Sequence, residues 1–218
     1  MLLKEKVVIV SGIGPGLGIE LALLAAKEGA HVSICARTAS KLDDAEAAIA
    51  ELGLDTRVLK VVTDISDRAQ CKNLVDKTIE EFDQIDVLIN SAFVAGEFKS
   101  VESAQLDDWR STMEVNFFGT MNLTQEVIPH MKQRGGGSIV MVNTMIVRHP
   151  MPFQGGYGAS KAALNVATAH MAKELGQYGI RINSAFMGWM WGPSTAYYVK
   201  HEAKRLGTTA ESVRADIA

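Results

Sequence analysis

Two cysteines in 218 residues, Cys35 and Cys71, fall in a predicted strand and a predicted helix and form no metal-ligand spacing. That usage reads as a reducing cytosol. A basic excess is also missing. Lys and Arg number 22 against 25 Asp and Glu, a formal charge of -3, which argues against a general binder of nucleic acid or of anionic membranes. No apolar run approaches the roughly 18 residues a membrane span requires. The only compact hydrophobic stretch near the N-terminus, Val7–Val10, is too short for a signal peptide. No linker, low-complexity tract or repeat divides the chain, so residues 1–218 are expected to form one cytoplasmic domain. With 47% hydrophobic residues that domain can bury a sizeable core.

What the chain does have is a rhythm. Short β-branched runs at Val7–Val10, His31–Cys35, Arg57–Val62, Asp86–Asn90, Ser138–Asn143 and Ile180–Ala185 read as six strands, near-continuously apolar as strands covered on both faces must be. Helical patterns alternate with them near 17–28, 39–52, 67–82, 103–132 and 156–177. The fourth is long enough to be two helices meeting near Val115–Asn116. The alternation predicts an α/β fold, a single doubly wound parallel sheet built from right-handed crossovers. After the sixth strand come Gly188–Pro193 and a helical stretch to Ala218, read as a lid-like substrate segment over about 188–218.

Directly after the first strand stands Ser11-Gly12-Ile13-Gly14-Pro15-Gly16-Leu17-Gly18. The spacing that fits is Gly12-x-x-x-Gly16-x-Gly18, followed by the apolar helix Ile19–Ala26. Glycines between a strand and a helix allow backbone N–H groups to approach a pyrophosphate at the positive end of the helix. The bland alternative is a turn that merely permits a tight reversal, but strand before and helix after are the context a Rossmann-type dinucleotide site requires. The second strand runs into Ala36 and Arg37. A carboxylate there suits the ribose of NAD(H) and an arginine suits a 2′-phosphate, so NADP(H) is favoured, NAD(H) remains possible, and a merely solvent-exposed arginine is the alternative. Asp64, after the third strand, is read either as an acceptor for an adenine amino group or as an acid in the N-cap region of the next helix.

Tyr157 and Lys161 are four apart at the start of a predicted helix, hence on one face. A phenol with a pKa of about 10 is a poor base at neutral pH, and bringing it to about 7 takes roughly 4 kcal/mol. A nearby ammonium and an oxidised nicotinamide both favour the phenolate, so the expected direction of its shift is downward.

Taken in order, Gly12…Gly16-x-Gly18, Asp64, Asn90-Ser91-Ala92, Asn116, Gly137–Val140, Tyr157-x-x-x-Lys161 and Arg181-Ile182-Asn183 make the chain resemble the short-chain dehydrogenase/reductase family, from the glycine turn to the end of the sixth strand. The resemblance implies NAD(P)-dependent interconversion of a secondary alcohol and a ketone. On it, Tyr157 is the general acid/base, Lys161 binds the ribose and tunes the phenol, and Asn116 holds a water in a proton relay. A hydroxyl from the fifth strand polarises the substrate oxygen. By spacing this hydroxyl is Thr144, where the family usually has serine; Ser138, at the other end of that strand, is read as structural. The same resemblance assigns dinucleotide contacts to Gly12, Ile13, Gly16, Leu17, Gly18, Arg37, Asp64, Ile65, Asn90, Ala92, Tyr157, Lys161 and Gly188.

Several positions depart from the family pattern. Phe93 stands where a glycine is usual, and either lines the substrate cleft or crowds the cofactor. Met187-Gly188 replaces Pro-Gly, Gly192 aligns with a later threonine, and no seventh strand follows the sixth, which reads as an atypical, truncated C-terminus. Phe93, Met145, Val147, Phe153, Trp189, Met190, Trp191, Tyr197 and Tyr198 gather at the ends of strands where such sheets bind ligands. They point to a hydrophobic small-molecule carbonyl or alcohol substrate, or else to packing of the last helical stretch. The helices at 103–132 and 156–177 resemble those with which the family builds a four-helix dimer contact, so a homodimer is the default expectation, with a higher homo-oligomer as the alternative. The competing reading from another class is a dinucleotide-binding sensor or scaffold with impaired catalysis, fed by Thr144, Phe93, Met187 and the missing C-terminal strand. The retained trio Tyr157, Lys161 and Asn116 speaks against it, because binding alone needs no tuned phenol.

Overall fold

Val7–Ser11 (β1) buries every one of its five residues, because it lies between two strands and beneath helices on both faces. The computed structural model describes residues 1–217, without the side chains of residues 193 and 194; the final residue of the expected lid segment, 218, lies outside the described residues. Around β1 are His31–Ala36 (β2), Val58–Val62 (β3), Val87–Asn90 (β4), Gly137–Thr144 (β5) and Ile180–Met187 (β6). They form one sheet in the order β3-β2-β1-β4-β5-β6, and the β1–β2, β1–β4, β2–β3 and β4–β5 pairs are all parallel. The six-stranded doubly wound sheet expected from the sequence is present, each strand within two residues of its predicted bounds. Strand order reverses between β1 and β4, and a ligand crevice opens outside the carboxyl ends at such a switch point.

The two faces of β1 divide by the period of two. Val8 and Val10 join an apolar cluster with Val32, Ile34, Ala22, Ala26, Leu42 and Ile49, beneath Leu17–Lys27 (α1) and Ala39–Ala50 (α2). Ile9 joins the opposite cluster with Leu88, Ile139, Leu123, Val127 and Leu164, beneath Arg68–Phe82 (α3), Thr120–Arg134 (α5) and Gly155–Leu175 (α6), with Leu106–Met113 (α4) lying between α3 and α5 in the chain. A fully buried leucine or isoleucine of this kind contributes about 1.5–3 kcal/mol. Cys35 and Cys71 are both buried, and burial pushes each thiol up to about 12, so both behave as inert apolar side chains.

Two helical expectations are refined. The long stretch at 103–132 does not simply break near Val115–Asn116: a π-helical segment, Glu114–Gly119, carries the chain from α4 into α5. The stretch after β6 is two helices, Pro193–Leu206 (α7) and Ala210–Ile217 (α8), separated at Gly207, whose φ of 64° ends α7 in the left-handed cap that glycine favours. The chain divides into two compact units, Met1–Ala185 and a second from Phe186 onward. The second has its own small cluster of Val199, Ala203 and Val213, with Tyr198 and Ile217 against it.

Candidate active site

The glycine turn is shaped by contact with the next strand's exit. Gly12 has φ of 83°, and a Cβ on it would lie 2.4 Å from both the Cα and the N of Ala92. A Cβ on Gly18 would lie 2.2 Å from the Gly12 carbonyl oxygen. These are backbone obstacles that cannot yield. The turn is pinned by the Gly12 and Ile13 N–H groups donating to the Cys35 carbonyl at 3.0 and 3.1 Å. Gly16 is exposed, with φ of 116° and open space where a Cβ would stand; as N-cap of α1 it brings no side-chain cap. The first-turn N–H groups of α1, Leu17 and Gly18 among them, are therefore left without a side-chain acceptor at the positive end of a helix. A dinucleotide pyrophosphate fits these features.

Along the rim, Arg37 is exposed at the carboxyl end of β2 and makes no ion pair with a described residue. Asp64 Oδ1 accepts from the Ser66 N–H at 3.0 Å and from the Ser66 hydroxyl at 2.6 Å. It shapes the turn before α3, whose N-cap is instead Asp67, accepting from Ala69 and Gln70 N–H. The Ile65 side chain is buried, with its Cγ1 2.9 Å from where a Cβ on Gly119 would stand, and its carbonyl accepts from Cys71 Sγ and Asn122 Nδ2. Asn90 donates to Thr124 Oγ1 at 3.0 Å and to Met141 Sδ at 3.3 Å, which ties β4 to α5 and β5. Gly188 follows β6, exposed, in the second unit.

The chemistry-bearing side chains meet where β5 ends and α6 begins. Thr144 is the last residue of β5; its Oγ1 accepts from the Ile146 N–H at 3.4 Å, and its side chain lies beside the Tyr157 phenol, where its hydroxyl favours the phenolate. Lys161, one turn along α6, is buried and donates from Nζ to the Val142 carbonyl at 2.8 Å. Desolvation lowers this ammonium to about 8. Burial raises the phenol of Tyr157 above its ordinary value, and the Thr144 hydroxyl pulls the other way. The downward direction expected from the sequence counted an oxidised nicotinamide beside the ammonium; from the protein's own groups the direction is upward. The Lys161 ammonium is directed at Val142 rather than at the phenol, so burial prevails.

Asn116 sits in the π-helical segment, fully buried. Its Oδ1 accepts from the Val94 N–H at 2.8 Å, and its Nδ2 donates to the Val94 carbonyl at 2.9 Å and to Ser160 Oγ at 3.0 Å. Its side chain clamps the connection after β4 to α6. A π-bulge at this place fits the tendency of such insertions to mark functional sites. Its own carbonyl accepts from Thr120 Oγ1 at 3.1 Å.

Sequence reasoning passed over three supports. Ser160 Oγ donates to the Tyr157 carbonyl at 2.7 Å. Asn143 accepts from the Thr144 N–H at 2.9 Å and donates to the Lys161 carbonyl at 3.2 Å, joining the end of β5 to α6; a buried asparagine just before the candidate hydroxyl was the available signal. Trp109 of α4 packs so tightly on the first turn of α6 that a Cβ on Gly155 would stand 2.5 Å from its ring. Ser138, aligned with Val87 at the start of β5, lies at the far end of the strand from Thr144. His31 accepts from the Arg57 N–H at 3.1 Å and stacks on Phe82, a structural role.

A family model described as short chain dehydrogenase matches residues 6–203. The chain is 35% identical over 196 residues to the 3-oxoacyl-(acyl-carrier-protein) reductase of Thermotoga maritima, covering 89% of this chain and 78% of that protein. It is 33% identical over 189 residues to the levodione reductase of Leifsonia aquatica, covering 87% and 71%. Among solved structures, an NAD+-bound xylitol dehydrogenase superposes with a TM-score of 0.88 at 28% identity, covering 94% of this chain and 78% of that one. The L-sorbose reductase of Gluconobacter frateurii, complexed with NADPH and L-sorbose, gives 0.88 at 27%, covering 97% and 81%.

Proposed function

The chain belongs to the short-chain dehydrogenase/reductase family, and from that premise we propose that it interconverts a lipophilic ketone and its secondary alcohol with Tyr157 as the general acid/base. It is a nicotinamide-dinucleotide-dependent oxidoreductase acting on hydroxyl or keto groups of small molecules, as its relatives are. The observation that carries the finer reading is the meeting of the Thr144 hydroxyl and the Tyr157 phenol one helical turn from a buried lysine.

When bound, a reduced nicotinamide supplies hydride to a carbonyl carbon and its oxidised form takes hydride from an alcohol. The protein's part is the proton and the placement. A phenol held above its ordinary pKa is protonated at neutral pH, the form that donates to a carbonyl oxygen as negative charge develops on it. Thr144, whose oxygen already accepts from the Ile146 N–H, has its hydrogen free to turn between the phenol and a substrate oxygen, stabilising the same developing charge. Lys161 is assigned to the ribose, and Gly16, Leu17 and Gly18 to the pyrophosphate; the Gly12 and Ile13 N–H groups, bonded to the Cys35 carbonyl, shape the turn instead. Arg37 supports NADP(H) over NAD(H), since it is exposed and without an ion pair among the described residues. The exposed Phe93 ring beside Tyr157 supports a lipophilic substrate. Exposed Leu106, Phe118 and Val166, on α4, the π segment and α6, support a homodimer built on those helices.

The test is oxidation of NADPH and NADH against a panel of ketones by the protein and by Tyr157→Phe. The expected result is turnover that falls about 10²–10⁴-fold in the variant while dinucleotide affinity stays near that of the unmodified protein. Dinucleotide binding without turnover of any ketone, by the unmodified protein with either cofactor, would replace this reading with that of a sensor or scaffold.

A further inference from the structure

The long connection 91–105 leaves β4 under unusual restraint. Ser91 donates its N–H to the Ser11 carbonyl at 3.2 Å and to Ser11 Oγ at 3.3 Å. The backbone of Ala92 is pressed against Gly12. Val94 is held at both its N–H and its carbonyl by Asn116. Phe93 lies between these anchors, so its backbone is fixed on either side by groups that also build the site. Its ring is nonetheless 58% exposed, and it stands 6.0 Å from the Tyr157 ring at an interplanar angle of 53°.

An exposed aromatic ring on a fixed backbone, tilted against the candidate acid, is an uncovered apolar wall. Aromatic pairs are favoured at centroid separations of about 4.5–7 Å in tilted or offset arrangements. The Phe93 and Tyr157 rings already stand in that range and open as a wedge. A flat ring laid on the free face of Phe93 covers apolar surface that water otherwise wets, and brings a carbonyl on that ring toward the phenol oxygen. An open-chain polyhydroxylated carbonyl gains nothing from that face and loses water from its hydroxyl groups on approaching it. Glycine, usual in the family at this place, would offer no such wall.

We propose that Phe93 is the specificity-determining side chain, selecting carbonyl or alcohol substrates that carry a flat apolar ring over open-chain polar ones. The inference deepens the ketone reductase reading above and rests on it for the chemistry, though not for the binding.

The experiment compares the unmodified protein, Phe93→Leu and Phe93→Gly. kcat/KM is measured with an aryl ketone (acetophenone) and with an open-chain hydroxyketone (dihydroxyacetone). Calorimetric titration of acetophenone into the NADP+-saturated protein runs alongside, as does the affinity for NADPH. Phe93→Gly is expected to lower the aryl-to-open-chain ratio of kcat/KM by about 10- to 100-fold and to weaken acetophenone binding by a similar factor. Phe93→Leu, which keeps apolar area but not the plane, falls between. The proposal is overturned by a ratio and an acetophenone affinity that both stay constant across the three proteins. It is equally overturned if Phe93→Gly tightens NADPH and raises both kcat/KM values in proportion, since the ring would then crowd the cofactor. Acetophenone binding that depends on Phe93 in a protein that turns over neither ketone would keep the proposal and defeat the reductase reading, so the two failures are distinguishable.

Discussion

Asn116 grips Val94 by both backbone polar groups, its Oδ1 accepting from the N–H at 2.8 Å and its Nδ2 donating to the carbonyl at 2.9 Å. The same Nδ2 reaches Ser160 on α6. One buried amide thus joins the π-helical segment, the connection after β4 and the helix that carries Tyr157. Asn116→Ala removes all three bonds and leaves buried partners unpaired, at about 3 kcal/mol. Thermal denaturation should show a fall of roughly 6–12 °C for a chain of this size, with turnover lost in step. Asn116→Asp keeps only the acceptor and should fall between. A melting temperature unchanged in Asn116→Ala would contradict the clamp.

Two glycines in the same turn should respond in opposite ways to alanine. Gly12→Ala drives a Cβ to 2.4 Å from Ala92 backbone at a positive φ, so it should destabilise the protein by more than about 2 kcal/mol and abolish NADPH binding. Gly14 has open space around its would-be Cβ and is not among the positive-φ glycines. Gly14→Ala should therefore hold or raise stability, by up to about 1 kcal/mol, through the unfolded chain. Urea denaturation of the two variants side by side decides the matter.

Burial of Lys161 carries a pH signature. Its pKa is lowered from 10.5 to about 8 in the folded protein, so between those values the unfolded chain binds more protons than the folded one, and stability rises with pH across that window. Below pH 8 the cost of the buried ammonium is present in full. Lys161→Met should therefore unfold less readily than the unmodified protein at pH 7, by about 1–3 kcal/mol after the lost bond to Val142 is set against it. Its advantage should shrink as pH climbs from 8 past 10, while turnover is lost throughout. Chemical denaturation at pH 7 and pH 10 provides the check, and an advantage that grows with pH would reverse the assignment.

We propose that cofactor choice turns on Arg37. A 2′-phosphate pairs with a guanidinium through charge-assisted hydrogen bonds that a ribose hydroxyl cannot match. Arg37→Ala is expected to lower NADPH affinity about tenfold or more and to leave NADH affinity within about twofold, read by fluorescence titration of both dinucleotides. Equal loss for both would remove Arg37 from the discrimination.

Much of this site was legible before any coordinates. The glycine turn announces itself because only glycine tolerates the backbone torsions and close approach found at Gly12, and the helical period alone puts Tyr157 and Lys161 on one face. The π-helical insertion showed in the sequence only as a junction near Val115–Asn116, because one extra residue in a turn barely shifts an apolar stripe already broken by Asn116. Asp64 was open to reading as an acid of the helix entry, and only its bonds to Ser66, with Asp67 capping Ala69 and Gln70, showed that it shapes the turn before the cap.

Local chemistry therefore determined the order of strands and helices, the glycine turn and the shared face of Tyr157 and Lys161, since each follows from backbone torsion or from spacing within one element, while Thr144 was reached only through the family resemblance. The tertiary structure alone decided what surrounds those groups: that Lys161 faces the Val142 carbonyl, that burial lifts the Tyr157 phenol, and that the Phe93 ring tilts against it. Desolvation and ring contact depend on neighbours brought together from separate crossovers of the sheet, and no window of the chain contains them.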